Sequence, residues 1–307
     1  MARTGEITFK KRSGNSTRIQ EILIRWVLLA CASISVLTTV AVVGTLFEES
    51  ISFFRVVPLT EFLFGTQWTP TLLPRHFGIL PLLTGTLMIA LASSLIAIPF
   101  GLGSAVYLSE YAPKKVRRVL KPLLEILAGI PSIVFGFFAL TFITPILQRI
   151  IPSTQVFNAL SAGIAVGIMI IPLVASISED AMAAVPDSMR KGAFALGATR
   201  MEVTTGIVLP AAISGIGASF ILAVSRAIGE TMIVAIAAGQ SPVLTGNPLN
   251  SIQTMTGFMV NLSLGDIQQG TIEYKTVFAV GSMLFLMTFA MNLIARLSIH
   301  RYKEARK

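Results

Sequence analysis

The stretch from residue 191 to residue 210 reads KGAFALGATRMEVTTGIVLP and joins two long apolar segments of the chain. Small residues at its start would let a partner backbone approach closely, while Phe194 and Leu196 offer apolar side chains for contact. Gly197 is suited to end a short helix, and Pro210 is suited to the first turn of the next one. We therefore predict a short amphipathic element that docks in a groove on a partner. The alternative is a solvated connector, for which the loop 178–209 is long.

The neighbouring apolar segments belong to a set of six. The set comprises residues 23–47, 79–108, 122–147, 159–177, 210–238 and 276–297. Each segment approaches or exceeds the ~20 residues with which a helix crosses the hydrocarbon core of a bilayer. The runs are continuous and do not alternate with polar residues, so helices are favoured over barrel strands. Pro99 in the second segment and Gly129, Pro131 and Gly136 in the third predict kinks or breaks.

Composition excludes a water-soluble protein. Hydrophobic residues make up 53% of the 307 residues, charged residues only 13%, and the mean hydropathy is +0.77. A soluble domain carries about 25% charged residues. The single cysteine, Cys31, excludes an intramolecular disulfide, and His76 and His300 lie too far apart in sequence to suggest a metal site. The sequence therefore predicts an all-α integral membrane protein with six transmembrane helices.

The distribution of basic residues predicts the orientation of these helices. Of 24 Lys and Arg residues, 19 lie in the N-terminal tail, loops 109–121 and 178–209, and the C-terminus. Four lie on the opposite side, at Arg55, Arg75, Arg149 and Lys275, and Arg226 lies within a span. By the positive-inside rule, both termini are expected in the cytoplasm. The predicted division is a cytoplasmic tail at 1–22, a transmembrane domain at 23–300 with an external loop at 239–275, and a tail at 301–307.

A second informative stretch, residues 222–232, lies inside the fifth span. Arg226 follows Pro210 by 16 residues, which is ~24 Å along a helix and predicts a position near the bilayer midplane. An arginine there costs about 2.5–3.5 kcal/mol on insertion scales. Glu230 lies one helical turn later, on the same face. The residues leave two interpretations: a self-neutralising pair, or a functional site in a translocation pathway. We favour the second because base-before-acid is the weaker order for such a pair.

Both stretches resemble the permeases of ABC importers. Their EAA loop has the pattern E-A-A, three residues, Gly, nine residues, I-x-L-P. Positions 193, 197, 207, 209 and 210 match this pattern, whereas Lys191 and Gly192 depart from it. The arrangement around Arg226 and Glu230 is similar to that of the phosphate-specific permeases. Met232, after Glu-Thr, resembles the PstC branch rather than the PstA branch. Stretches 99–113 and 127–136 add to the likeness.

The resemblance implies a type I ABC-importer permease fold with a cytoplasmic EAA coupling loop, in a bacterial inner membrane. It implies a permease subunit that moves inorganic phosphate into the cytoplasm by alternating access. The expected partners are a sister permease, PstA, two copies of the ATPase PstB, and an external phosphate-binding protein, PstS. The substrate pathway is expected at Ser225, Arg226, Glu230 and Thr231. The ATPase-coupling residues are expected to be Lys191, Gly192, Ala193, Phe194, Leu196, Gly197, Ile207, Leu209 and Pro210.

Several absences and alternatives complete the expectations. The sequence has no G-x-x-x-x-G-K-[ST] phosphate loop, so we expect no cofactor in this chain and place ATP and Mg on the partner ATPase. We therefore expect a transport subunit and not an enzyme. Molybdate or sulfate is the alternative substrate. An ion-coupled secondary anion carrier, gated by Arg226 and Glu230, is the alternative mechanism. Glu125, near Lys121, is the only other acidic residue that we considered for transport, and pairing is the simpler expectation.

Overall fold

The computed structural model describes the backbone of residues 15–304 and the side chains of residues 20–294. It divides into two units, Met1–Glu48 and Glu49–Lys307. The described part of the first unit belongs to one long helix, α1 (Asn15–Phe54), which enters the second unit at its C-terminal end. Within the described residues every regular element is helical, apart from one isolated bridge between Trp68 and Phe77.

The helices of the second unit follow in chain order. They are α2 (Leu59–Phe64), α3 (Leu80–Val106), α4 (Lys114–Ala128), α5 (Ser132–Phe138), α6 (Thr144–Ile150), α7 (Ala159–Ala183), α8 (Asp187–Ala195), α9 (Arg200–Val203), α10 (Leu209–Ile228), α11 (Met232–Ala237), α12 (Met255–Leu264) and α13 (Ile272–Glu304). Wider π-helical turns extend α3 over Tyr107–Tyr111, join α5 to α6 over Ala139–Ile143 and join α9 to α10 over Thr204–Val208.

Within residues 15–304, six helical stretches are long and apolar enough to cross a membrane, which confirms the predicted number. They are Gln20–Phe54, Leu80–Tyr111, Ser132–Ile150, Ala159–Ala183, Arg200–Ile228 and Ile272–Ile294. The predicted kink at Pro99 does not end the second of them, because α3 continues through this residue to Val106.

The predicted bounds of the third and fifth spans are wrong for physical reasons. Residues 122–128 belong to the amphipathic α4, which ends at Ala128, and the backbone is extended at Pro131, where the separate helix α5 starts. The fifth span begins at Arg200, because Thr199 and Glu202 form a capping box that starts the helix ten residues before Pro210. It ends at Ile228, and residues 232–237 form the separate α11.

The predicted loops and tails also contain helix. The loop 178–209 holds the end of α7 together with α8 and α9, and the loop 239–275 holds α12 and the start of α13. Helix α1 begins within the predicted tail 1–22, and α13 runs to Glu304 within the predicted tail 301–307. Residues 1–14 and 305–307, with the basic residues Arg3, Lys10, Lys11, Arg12, Arg306 and Lys307, lie outside the described part.

Small residues bring the central helices together. A Cβ added at Gly163 would lie 2.6 Å from the Cβ of Ala92, and one at Gly167 would lie 3.0 Å from Ile96. These two glycines of α7 are four residues apart and face α3, which is the spacing that lets membrane helices pack closely. Helix α10 joins the pair through a buried hydrogen bond between the hydroxyls of Ser178 and Ser219, 2.8 Å apart.

Candidate functional site

Two helices of the second unit are interrupted, and the short helices that follow the interruptions pack together. Residues 129–131 separate α4 from α5, and residues 229–231 separate α10 from α11. A Cβ at Gly136 of α5 would lie 3.1 Å from Ile236 of α11, so glycine permits this close contact. Irregular backbone at membrane depth is tolerated where it is buried in protein or lines a cavity. The interruptions therefore locate a candidate transport site.

The Arg226–Glu230 pair is present at the second interruption. An Nη1 hydrogen of Arg226 is donated to Oε2 of Glu230 over 2.6 Å. Oε1 of Glu230 accepts from the backbone N–H groups of Met232, at 3.2 Å, and Ile233, at 3.4 Å. The carboxylate therefore caps the first turn of α11, where a negative charge is favourable. The structure therefore contains the ion pair of the first interpretation, although its geometry differs from a pair on one continuous helix because α10 ends at Ile228.

The two partners differ strongly in exposure. The Glu230 side chain is 2% exposed, whereas the Arg226 side chain is 46% exposed. The other terminal nitrogen of the guanidinium, Nη2, lies 3.8 Å from the sulfur of Met169. Among the described side chains, Glu230 is the carboxylate that pairs with Arg226. One edge of the guanidinium is thus held, and another part remains accessible at the interruption. The predicted depth of Arg226 assumed a span over 210–238, whereas the apolar helical stretch covers Arg200–Ile228 and Arg226 lies near its end.

The other two predicted pathway residues have different surroundings. Thr231 lines a cavity of about 420 Å³ together with Gly229, Thr256 and Ser263. Its hydroxyl donates to the carbonyl of Gly229 over 3.2 Å. Ser225 instead faces α13, where its hydroxyl lies 3.5 Å from Oδ1 of Asn292. The structure therefore brings Arg226, Glu230 and Thr231 together at the interruption and turns Ser225 towards a neighbouring helix.

Thr256 adds a contact at the interruption that the sequence did not indicate. Its hydroxyl donates to the backbone carbonyl of Glu230 over 2.6 Å and so fixes the interruption to α12. Thr256 lies in the predicted external loop, where no motif distinguished it. A larger cavity, about 610 Å³, lies between residues 66–72 and 240–262, and neither Arg226 nor Glu230 lines this cavity or the smaller one. We give more weight to the smaller cavity because the interrupted backbone forms part of its wall.

The predicted coupling element is the helix α8, and Gly197 ends it. Gly197 has a φ of +83°, in the left-handed region that favours glycine. Its N–H donates to the carbonyl of Phe194, and the N–H of Ala198 donates to that of Ala193, a helix-ending arrangement of the expected kind. The prediction that Gly197 ends the short helix is therefore confirmed.

The coupling residues divide into an exposed set and an inward set. Leu196 is 90% exposed, Phe194 is 45% exposed, and Lys191, Gly192 and Gly197 also face solvent. The inward set consists of half-buried residues: Ala193, Ile207, Leu209 and Pro210. Ala193 and Leu209 pack on an apolar cluster that includes Val203 and Val208. Only the exposed set is available to a partner, whereas the inward set holds the element in place.

Arg190 fastens α8 to the rest of the second unit. Its Nη2 donates to the carbonyl of Met182 over 2.7 Å and lies 3.1 Å from Oε1 of Glu110. The Arg190 side chain is 15% exposed and that of Glu110 is 9% exposed. Neither residue was predicted to matter from the sequence. The two residues are 80 positions apart, so no local sequence pattern indicated that they would contact each other.

A second buried carboxylate, Glu179 of α7, was also missed. It is 1% exposed and contacts Arg117 and, over 2.7 Å, Lys121, both from α4. Lys121 also reaches Asp180 over 2.9 Å. Hydrogen bonds to Glu179 and Asp180 raise the pKa of Lys121 above its ordinary value, so its ammonium stays charged at neutral pH. The expected pairing of Glu125 with Lys121 is not seen among the described residues. The fourth predicted span ended at residue 177, so Glu179 lay outside it.

Comparison with known proteins yields one family and several relatives. Residues 97–304 match the family described as the inner membrane component of binding-protein-dependent transport systems. The probable ABC transporter permease protein YqgH of Bacillus subtilis is 34% identical over 95% of this chain and 94% of its own length. The phosphate transport system permease protein PstC of Xylella fastidiosa is 35% identical over 78% of this chain and 79% of its own length.

Solved structures show the same fold at low identity. A bacterial ABC transporter that imports the acidic polysaccharide alginate matches with a TM-score of 0.63 and 15% identity, over 92% of this chain and 99% of its own. The MetNI methionine ABC transporter, in an inward-facing conformation, matches with a TM-score of 0.54 and 16% identity, over 73% of this chain and 94% of its own. At this identity the likeness concerns the fold alone.

Proposed function

We propose a function from the premise that the chain belongs to the family of inner membrane components of binding-protein-dependent transport systems, among the PstC-like ABC permeases. We infer that it is the permease subunit of an ATP-driven importer that moves inorganic phosphate into the cytoplasm by alternating access. The observation that carries the proposal is the guanidinium of Arg226, which a buried carboxylate holds on one edge and which stays accessible at a helix interruption.

Binding-protein-dependent importers work with an ATPase and a substrate-binding protein. For this chain we propose PstA as the sister permease, two copies of PstB as the ATPase and PstS as the external phosphate-binding protein. ATP and Mg would bind to PstB, and this chain would contribute no hydrolytic group. We further propose that both termini and the loop 178–209 face the cytoplasm and that the loop 239–275 faces outside. The asymmetry of Lys and Arg supports this orientation.

The residues at the interruption suit a transient oxyanion site. The guanidinium of Arg226 is always charged and presents N–H groups in a planar fork that matches phosphate oxygens. Thr231, Thr256 and Ser263 line the adjoining cavity, but their hydroxyls donate to the carbonyls of Gly229, Glu230 and Met259, so the guanidinium supplies the donors for the oxyanion. Glu230 already offsets the charge of Arg226, so the pair has no net charge. A site of this kind attracts an anion weakly enough to release it, as transport requires.

One feature favours phosphate over sulfate or molybdate. Phosphate carries at least one proton throughout the neutral pH range and can donate a hydrogen bond, whereas sulfate and molybdate offer acceptors alone. Glu230 places a carboxylate, which is an acceptor, next to the guanidinium. A carboxylate attracts a donor and repels an unprotonated oxyanion, which is a common way to achieve specificity.

Uptake by the reconstituted complex tests the proposal. Vesicles that contain both permeases and the ATPase, with the binding protein outside and ATP inside, are expected to accumulate labelled phosphate. Excess sulfate or molybdate is expected to compete poorly. Uptake that persists without ATP would favour the ion-coupled carrier. Equal competition by molybdate or sulfate, presented with a matching binding protein, would favour a general oxyanion permease.

A further inference from the structure

The attachment of α4 to the rest of the second unit depends on charges. None of the residues of α4 is buried, although Leu124 and Leu127 face inwards in part. Its closest polar contacts run from Arg117 and Lys121 to Glu179, a residue of α7 that is almost completely buried. A buried carboxylate is tolerated when it is paired and hydrogen-bonded. Glu179 has both kinds of contact, and both come from α4.

Apolar packing between α4 and α7 is incomplete. A cavity of about 220 Å³ lies between them, lined by Leu108, Lys121, Leu124, Pro172, Ser176 and Glu179 among others. Close-packed interiors contain few voids of this size. The ionic contacts at Glu179 therefore hold together two helices that pack loosely beside it.

The same end of α7 is fixed to the coupling helix. α8 follows α7 after three residues, and Arg190 of α8 bonds to the carbonyls of Met182 and Val185 at the end of α7. Hydrogen bonds from Arg190 thus connect α8 to the end of α7, and the ionic contacts of Glu179 connect α7 to α4. Beyond α4 the chain passes the interruption at residues 129–131 and enters α5, which packs on α11. Glu230 caps α11, so the connection ends at the candidate site.

We propose that Glu179 is a positioning residue that fastens α4 to α7, so that α4 moves with α8 as one body. Movement of the ATPase at α8 is then passed through α4 and α5 to the helix interruption beside Arg226. This inference rests on the proposed function as an ATP-driven permease, and it does not depend on which oxyanion is carried. It assigns Glu179, Arg117 and Lys121 to mechanical coupling and places none of them in contact with substrate.

A distance measurement tests directly whether α4 and α8 move as one body. In a Cys31→Ser background, spin labels at Arg118→Cys on α4 and Ala184→Cys at the α7–α8 junction both occupy exposed positions. In the full reconstituted complex we expect the same distance between the labels without ATP and with bound ATP. With Glu179→Gln added, the distance should change or broaden when ATP binds. A wild-type distance that changes with ATP, or a Glu179→Gln distance that stays constant, overturns the inference.

The ratio of phosphate imported to ATP hydrolysed separates coupling from folding. Glu179→Gln keeps the shape of the side chain and should lower this ratio at least about fivefold, the lower end of typical coupling effects. Glu179→Asp keeps the charge and should restore part of the ratio. Glu125→Gln is the matched control, because it makes the same chemical change at an exposed residue of the same cavity wall. The control should leave the ratio unchanged.

Other outcomes have defined meanings. A proportional loss of hydrolysis and uptake in Glu179→Gln, at an unchanged melting temperature, contradicts the inference. If Glu179→Gln does not assemble, the ratio of phosphate imported to ATP hydrolysed is measured for Lys121→Gln, which changes the partly exposed partner of Glu179. This ratio should also fall. A wild-type complex that hydrolyses ATP and shows a constant label distance but imports no phosphate would contradict the proposed substrate and leave the role of Glu179 supported.

Discussion

At the scale of single residues, Arg226 and Glu230 differ in burial and in the contacts that they make. Glu230 is buried and makes three contacts with its carboxylate, two of them to the first turn of α11. Arg226 is held through one terminal nitrogen and keeps nearly half of its side chain accessible. The carboxylate therefore sets the position of the guanidinium and the start of α11. The guanidinium is the group that remains available to an anion.

Replacing Glu230 by glutamine should alter selectivity. The amide oxygen of Glu230→Gln can still accept from the N–H groups of α11, so the cap should persist, but the negative charge is lost. We expect phosphate to bind more tightly and leave more slowly, and sulfate to compete better. Uptake rates with competing oxyanions measure this. Glu273→Gln, at an ion pair with Arg75 away from the site, is the control. Unchanged competition in Glu230→Gln would count against its selective role.

The separation of two residues along the chain decided whether their contact could be predicted from the sequence. Arg226 and Glu230 are four positions apart, so their contact was predictable although the helix ends between them. Glu179 was not predictable in the same way, because its cationic partners lie 58 and 62 positions earlier, on a different helix. Thr256 was missed because a threonine in a loop carries no signal of its own. Contacts within one turn follow from a pattern, whereas contacts between distant helices require the fold.

At the scale of helices, the turn at Gly197 sets the length and direction of α8. Gly197→Ala introduces a Cβ into a left-handed conformation, which costs about 1–2 kcal/mol. We expect weaker association with the ATPase and lower uptake, because the exposed end of α8 shifts. Gly103→Ala is the control, since Gly103 lies in α3, outside the coupling element, with open space around it, and alanine favours helix by roughly 0.5–1 kcal/mol.

Co-purification of the ATPase and uptake by vesicles measure both glycine variants. Gly103→Ala should retain association and uptake close to wild type. Equal behaviour of the two variants would show that the conformation at Gly197 has no part in coupling.

The two sets of coupling residues should respond differently to charge. Leu196→Asp, at the most exposed apolar position of the motif, should weaken association with the ATPase and leave the melting temperature unchanged. Leu209→Asp should lower the melting temperature, because it places a charge against the apolar cluster that includes Val208. Detergent-purified protein provides both measurements. Full ATPase association by Leu196→Asp would exclude α8 as the docking element.

The helices themselves were largely predictable, and their interruptions were less so. Continuous apolar runs indicated all six spans, because a run of about 20 apolar residues matches the length of helix that crosses a bilayer. The third and fifth spans were misplaced because apolar residues stand on both sides of the breaks at 129–131 and 229–231. Hydrophobicity reports contact with lipid or protein and does not report whether the backbone stays helical. The capping box at Thr199 was a readable signal for the earlier start of the fifth span.

At the scale of the whole molecule, the orientation of the chain decides which side of the membrane each loop faces. In a Cys31→Ser background, Thr245→Cys in the loop 239–275 should react with an impermeant maleimide added outside intact cells. Lys115→Cys, on the exposed face of α4, should react only after the membrane is opened. The excess of Lys and Arg in the loops on one side gives the physical reason. Labelling of Lys115→Cys from outside would reverse the orientation and remove α8 from the reach of a cytoplasmic ATPase.

The central claim is that the accessible guanidinium of Arg226 attracts the transported oxyanion. The most direct test compares ATP-dependent phosphate uptake by vesicles containing wild type, Arg226→Gln and Arg226→Lys. A lost charged contact of about 3 kcal/mol corresponds to roughly 100-fold slower uptake for Arg226→Gln. Arg226→Lys should recover only part of the rate, because an ammonium lacks the planar fork. Assembly of each variant with its partners is checked in parallel. Wild-type uptake by a fully assembled Arg226→Gln complex would contradict the claim.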